Sequence, residues 1–270
     1  LNEGRFGLHD QYGMDLKGNS RSMNRSDEIY ASKRAALTDF SFGSEVARVF
    51  PDMVRRSVPG YETLGLMIGC IAGMRARPNS NVYDLGCSLG QSVLMMHSRI
   101  DCPGVHYVCV DNSPDMLEGC QVNLDSRISR ASYTLIDDDV ETVPINNASV
   151  VVMNLTLQFV DPAGRNRLIQ KIHDGLLASG VLVLSEKVIL DNPHQNEVMN
   201  ILHDEFKRAH GYSKLEISQK RIALERVMKI DTVECHRKRL LNAGFEFVHQ
   251  WFQGLNFVSF LAIKSGREPS

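Results

Sequence analysis

The feature that most constrains this chain is the order of its apolar runs. From Asn81 to Leu184, short β-prone stretches alternate with helical patterns, and that alternation is the signature of a parallel sheet with crossover helices. Asn81 to Leu85 reads as a first strand, followed by the loop Gly86-Cys87-Ser88-Leu89-Gly90 and a helix to about Ile100. Val105 to Val110 reads as a second strand, and Ser113-Pro114-Asp115 opens the next helix with a capping hydroxyl and Pro at its first position. Tyr133 to Ile136 is a short third strand. Ser149 to Asn154 is a fourth, so uniformly apolar that both its faces should be buried. Asp161-Pro162 starts a helix through about Leu177, and Gly180 to Leu184 is a fifth strand. Phe245 to Phe252 and Phe257 to Ile263 are the last two, joined by a short turn around Gly254. So short a connection requires an antiparallel pair.

Five strands in βα alternation followed by such a hairpin resemble the class I methyltransferases. The expectation is a Rossmann-like α/β fold with a seven-stranded, mostly parallel sheet and an antiparallel C-terminal hairpin. Two segments fall outside that plan. Phe40 to Cys70 looks helical and broken by Pro51 and Pro59, and Asn192 to Met228 is a charged, amphipathic insertion. Both should cover the carboxyl ends of the strands, where open α/β sheets bind ligands. Residues 23–270 read as one domain with its helical insertion at about 192–228. Leu1 to Ser22 is rich in Gly, Asn, Ser and Asp and lacks a periodic apolar pattern. It has no apolar signal-peptide segment either, and it reads as a vector-derived or poorly ordered leader with the natural start at Met23.

Charge narrows the class of partner. With 30 Lys and Arg against 32 Asp and Glu, the net charge is -2, without the basic footprint that strong nucleic-acid binding leaves. The 6 cysteines contain no C-x-x-C pair. They read as free thiols of a cytoplasmic protein, with no metal site. No apolar run is long enough for a membrane span, so no membrane partner is expected.

The chemistry begins at Asp84-Leu85-Gly86-Cys87-Ser88. A glycine directly after a strand allows a tight turn and close approach of a ligand, while Ser88 stands where a dinucleotide-binding loop would have its second glycine. A ligand without phosphates is favoured. Asp84 suits an ammonium group, directly or through water. Asp111 ends the second strand 21 residues after Gly90, where a carboxylate accepts hydrogen bonds from both ribose hydroxyls. Asn112 follows, placed to approach the adenosine. After the third strand, Asp139 and Val140 could meet the adenine amino group and pack on its ring, although Asp137-Asp138-Asp139 read alone is a solvated loop. Asn154 ends a buried strand with an amide that needs a partner, either a ligand's amino-acid part or nearby backbone.

At this point a specific resemblance emerges. Val49-Phe50-Pro51-Asp52-Met53, Arg56-Ser57-Val58-Pro59-Gly60-Tyr61, Val82 to Ser88, and Asp111-Asn112-Ser113-Pro114 are similar to segments of the carboxy-S-adenosyl-L-methionine synthase family. So are Asn154 to Phe159, Leu184-Ser185-Glu186-Lys187, Phe206 to Ser213, and Leu215 to Arg221. The similarity runs from about Asp39 to Lys264. It implies S-adenosylmethionine as substrate, or carboxy-S-adenosylmethionine as product, with no metal. It also implies prephenate as the second substrate, phenylpyruvate as by-product, and a homodimer. The resemblance further implies a functional link to a tRNA carboxymethyltransferase that builds 5-carboxymethoxyuridine at the wobble position.

By the same resemblance, Arg221 matches the arginine that holds the new carboxylate, a role its planar fork suits. Tyr61 matches a ligand-contacting tyrosine beside it. Read from local sequence alone, Arg221 belongs to a solvated helix face and Tyr61 to a turn. Met95 and Met96 read as core filler, and His203 and His210 lack a third partner for a metal. Cys87 should contribute backbone rather than a reactive thiol. Where the family usually has Trp-Phe-Gln-Cys-Phe-Asn-Phe, this chain has Trp251-Phe252-Gln253-Gly254-Leu255-Asn256-Phe257, which changes local packing. An ordinary methyltransferase and a non-catalytic ligand-binding subunit are the competing functions.

Overall fold

The computed structural model describes residues 26–33, 38–129 and 131–266; the expected leader, 1–22, lies outside them. The sheet carries β1 (Asn81–Leu85), β2 (His106–Asp111), β3 (Ser132–Asp137), β4 (Ala148–Asn154), β5 (Leu176–Ile189), β7 (Phe247–Gly254) and β8 (Phe257–Ile263) in the order β3-β2-β1-β4-β5-β8-β7. The first five are parallel, and β8 is antiparallel to both its neighbours. A two-residue strand, β6 (Asp231–Thr232), pairs with β5 off this path.

Alternation along the strands divides the core. Tyr83, Leu85, Val151, Met153, Leu182 and Leu184 face one side, against α5 (Arg165–Gly175) and α8 (Val233–Asn242). Val82, Val150, Val152, Val181 and Val183 face the other, against α2 (Tyr61–Arg75) and α3 (Gln91–His97). Each such side chain, fully buried, contributes about 1.5–3 kcal/mol. Burial on both faces is why β4 and β5 read as unbroken apolar runs. Ser113 caps α4 (Pro114–Asp125) as expected, accepting from the Met116 N–H, and its hydroxyl donates to the Phe42 carbonyl.

Three helices rise over the carboxyl ends of the strands: α1 (Ser44–Ser57), α6 (Pro193–Ala209) and α7 (Lys214–Glu225). The expected break at Pro51 does not occur. Pro51 removes one N–H from α1, but Val46, Val49 and Met53 remain buried against Leu89, Met116 and Ala223 and hold the helix together. The break falls at Pro59-Gly60, where Gly60 takes φ 75°. A Cβ there would sit 2.8 Å from the Phe252 ring. The fifth strand is also longer than expected, 14 residues from Leu176, at the cost of the end of the preceding helix.

Candidate functional site

β1 leads on to β2 on one side, while β4, its neighbour on the other side, leads on to β5, so the chain leaves the carboxyl ends of β1 and β4 in opposite directions. A crevice opens there. It forms a cavity of about 970 Å³. Tyr61, Gly86, Cys87, Ser88, Asp111, Asn112, Asp139, Val140, Asn154 and Arg221 all line it. The sequence named these residues from six separate stretches of chain, and the fold gathers them around one space.

The floor is built by backbone geometry. Gly86 has φ 81° and Ser88 φ 49°, and a Cβ on Gly86 would overlap the Thr156 side chain. Asp111 does more than wait for a ligand. Its Oδ2 accepts from the Ser88 N–H at 2.8 Å and its Oδ1 from the Ser113 N–H at 3.0 Å, so it fixes the loop after β1. A carboxylate has about four lone-pair sites, which leaves room for ribose hydroxyls. Burial raises the Asp111 pKa, opposed by those two N–H bonds. Asp139 is exposed and accepts from the Glu141 N–H at 2.8 Å, while Val140 is buried.

Asp84 does not itself line the cavity. It is 1% exposed, and neither of its oxygens has a hydrogen-bond partner among the described residues. Burial, then the charges of Cys120 and Asp111, push its pKa well above the carboxylate range. Asn154 Oδ1 is likewise buried without a partner. Two orphaned acceptors at the ends of adjacent strands fit the ammonium-bearing amino-acid part of a ligand such as S-adenosylmethionine. The Cys87 thiol is driven up by hydrogen bonds to Cys109 and Cys120 and by burial, consistent with a backbone role. Met95 departs from expectation: Met96 is core, but Met95 lines the cavity.

The opposite wall is cationic, and sequence reasoning missed most of it. Lys187, Lys207 and Lys220 line the cavity together with Arg221. Arg221 sits at the rim, 57% exposed, with its guanidinium on Asp204. Lys207 reaches the same carboxylate at 3.2 Å. Burial opposes the charge of Asp204, but these two cations hold its pKa below the usual value. His203 bonds the Ser57 carbonyl at 2.7 Å, and burial first, then Lys207 and Lys187, pull it down to about 3, so it is neutral.

One signal for this wall was available in the sequence: Glu186-Lys187 places two charges at the end of an apolar strand. Glu186 is fully buried and accepts from the Leu157 and Gln158 N–H groups at 2.8 and 2.9 Å. It thereby pins the turn that carries Thr156. Burial pushes its pKa up to about 8 against those bonds.

The roof hangs on Asp27. Its N–H donates to Asp52 Oδ2 at 2.8 Å, and its carboxylate takes the Tyr212 hydroxyl and Lys220 Nζ, the latter at 3.3 Å. Arg56 joins the Asp27 carbonyl, Asp52 and the His210 carbonyl, and lies 3.9 Å over the Tyr212 ring. A capping box between Ser213 and Glu216 starts α7 and sets the rotation of Lys220 and Arg221.

Sheet order, crevice and orphaned acceptors define a class I methyltransferase fold. The methyltransferase domain family matches residues 82–180. Among solved structures, human N-acetylserotonin methyltransferase in complex with SAM has 12% identity and a TM-score of 0.56, over 82% of this chain and 55% of that one. A putative S-adenosyl-L-methionine-dependent methyltransferase from Methanococcus maripaludis has 18% identity and a TM-score of 0.56, over 87% and 99%.

Much nearer relatives exist in sequence. Carboxy-S-adenosyl-L-methionine synthase from Klebsiella pneumoniae (strain 342) is 45% identical over 246 residues, 91% of this chain and 100% of the relative. The Yersinia enterocolitica protein of the same name is 47% identical over 240 residues, 89% of this chain and 90% of the relative. The chain belongs to the carboxy-S-adenosyl-L-methionine synthase family.

Proposed function

We propose that this protein converts S-adenosylmethionine and prephenate to carboxy-S-adenosylmethionine and phenylpyruvate. The observation that carries the reading is the division of the cavity. Asn154 in its lining and the buried Asp84 on adjacent β1 are orphaned acceptors suited to a sulfonium nucleoside with an amino-acid chain, and other parts of the lining carry cations that a methyl donor, itself positive, does not need. In the reaction, the bond from the ring carbon to its carboxyl breaks, and that carboxyl carbon joins the methyl carbon. The methyl proton and the ring hydroxyl leave together as water, so no oxidant or reductant is required.

Asp111 and Asn112 hold the ribose side, Asp139 and Val140 the adenine, Gly86 to Ser88 the backbone approach, and Asp84 and Asn154 the amino-acid part. Tyr61 and Arg221 serve the new carboxylate. Incubation with both substrates and no added metal should give carboxy-S-adenosylmethionine and phenylpyruvate by mass spectrometry. Production of S-adenosylhomocysteine with a methylated acceptor would instead make it an ordinary methyltransferase.

The product would feed a cytoplasmic tRNA carboxymethyltransferase. Among the described residues no helix is long and apolar enough to cross a membrane. Val198, Ile201 and Leu202 on α6, with Leu215 and Ile222 on α7, are exposed apolar residues and support a homodimer through this pair of helices. A monomer by light scattering at micromolar concentration would refute that arrangement.

A further inference from the structure

Lys187 differs from the other cations of the cavity wall. Lys220 is held by Asp27 and Ser57, and Lys207 and Arg221 share Asp204. The Lys187 ammonium has no hydrogen-bond or ion-pair partner among the described residues and lies 6.0 Å from the Phe257 ring centroid. Its strand places it deliberately. Ser185 pairs with Asn154, so Lys187 stands two residues further out along β5, beyond the carboxyl end of β4. Phe257 supplies apolar wall beside it, and Val54 and Val58 line the same cavity. Burial first, then Lys207 and Arg221, lower its pKa to about 8, with Asp204 opposing.

Charge counting then selects the ligand. Lys187, Lys207 and Arg221 carry three positive charges against the single carboxylate of Asp204, an excess of two that a dianion would neutralise. On the proposed reaction, which this inference rests on, the co-substrate brings two carboxylates on one molecule, and they leave on two. One is transferred to the sulfonium methyl carbon, and the other stays on the departing 2-oxo acid.

We infer that Lys187, supported by Lys207, binds the carboxylate that the co-substrate retains, as Arg221 binds the one that is transferred. The wall thus has two separate anion positions, and the second recognises a 2-oxo acid attached to a six-membered ring. Phenyl-ring carbon packs on the apolar wall, and the ammonium takes the charge.

Two probes separate the positions, because each carries one of the two carboxylates. Phenylpyruvate binding to the protein loaded with S-adenosylhomocysteine, which has no methyl to react, is measured by calorimetry. Lys187→Met should weaken it about 10- to 150-fold, the loss of one charge-assisted bond, and Lys187→Arg should recover part. Arg221→Ala should leave phenylpyruvate nearly unchanged. Carboxy-S-adenosylmethionine should show the reverse pattern, losing affinity with Arg221→Ala but not with Lys187→Met.

Unchanged phenylpyruvate affinity in Lys187→Met, equal losses for both probes, or no phenylpyruvate binding by the unmodified protein would each overturn the assignment. Turnover reports separately on the reaction. If the unmodified protein fails to carboxylate S-adenosylmethionine while phenylpyruvate still depends on Lys187, the reaction is wrong and the anion position stands.

Discussion

Replacing Gly86 by alanine tests whether the loop after β1 owes its shape to close approach. At φ 81° a side chain pays roughly 1–2 kcal/mol for the left-handed conformation. The new Cβ would also overlap Thr156 Oγ1 and Cγ2 and lie 2.9 Å from Thr156 Cβ, and such overpacking costs about 1–3 kcal/mol. Gly86→Ala should therefore lose about 2–5 kcal/mol in urea unfolding. Thr156→Ala removes the two overlapping atoms. Added to Gly86→Ala, it should restore about 1–2 kcal/mol relative to the sum of the single changes, leaving mainly the backbone penalty. The assay is a double-mutant cycle by urea denaturation of the four proteins. Strict additivity would show that Thr156 is not the obstacle, and a neutral Gly86→Ala would refute the account of the loop altogether.

Three further outcomes are expected. Burial raises the Asp84 pKa, and a ligand ammonium would draw that pKa down. S-adenosylmethionine binding should then release a proton, and affinity should rise with pH between the bound and free values of this group; calorimetry in buffers of differing ionisation enthalpy should show the release vanish in Asp84→Asn. Asp111→Ala should weaken S-adenosylmethionine binding by about 1–3 kcal/mol in calorimetry. It should also lower stability, since the Ser88 and Ser113 N–H groups lose their acceptor. Arg221→Ala should weaken carboxy-S-adenosylmethionine about 10- to 150-fold more than S-adenosylmethionine, with partial recovery by Lys; competition binding that shows equal losses would place Arg221 in the shared part of the site.

The parallel strands were legible because burial on both faces writes an unbroken apolar run, and the floor residues because each stands at a strand end. The wall was not. A lysine facing a cleft and one facing water look alike within a charged helix, and Lys220 is defined by Asp27, 193 positions away. Pro51 misled for a related reason, since local helix propensity said nothing of the packing that Val46, Val49 and Met53 provide. The start of β5 was hidden by Leu176-Leu177-Ala178, which extends the preceding helical pattern equally well. Arg221 was placed by family resemblance, and its 57% exposure shows why its local sequence resembles an ordinary solvated face.

The way the roof is tied has a consequence for how such a scaffold can change its chemistry. Asp27 gathers Asp52, Arg56, Tyr212 and Lys220 into one knot, while Asp111 and Glu186 tie the loops of the cavity floor. The polar ties of the two halves are therefore separate, while Leu89 and Met116, packed against α1 and Ala223, join them through apolar contact. A lineage could rewrite the polar groups of the helices above, exchanging which co-substrate the cavity admits, while the carboxylate ties of the loop after β1 stay in place. Cutting the chain just after Asp27 should act as the laboratory version of that separation, loosening the cover first and leaving the loop after β1 to the ties that Asp111 provides.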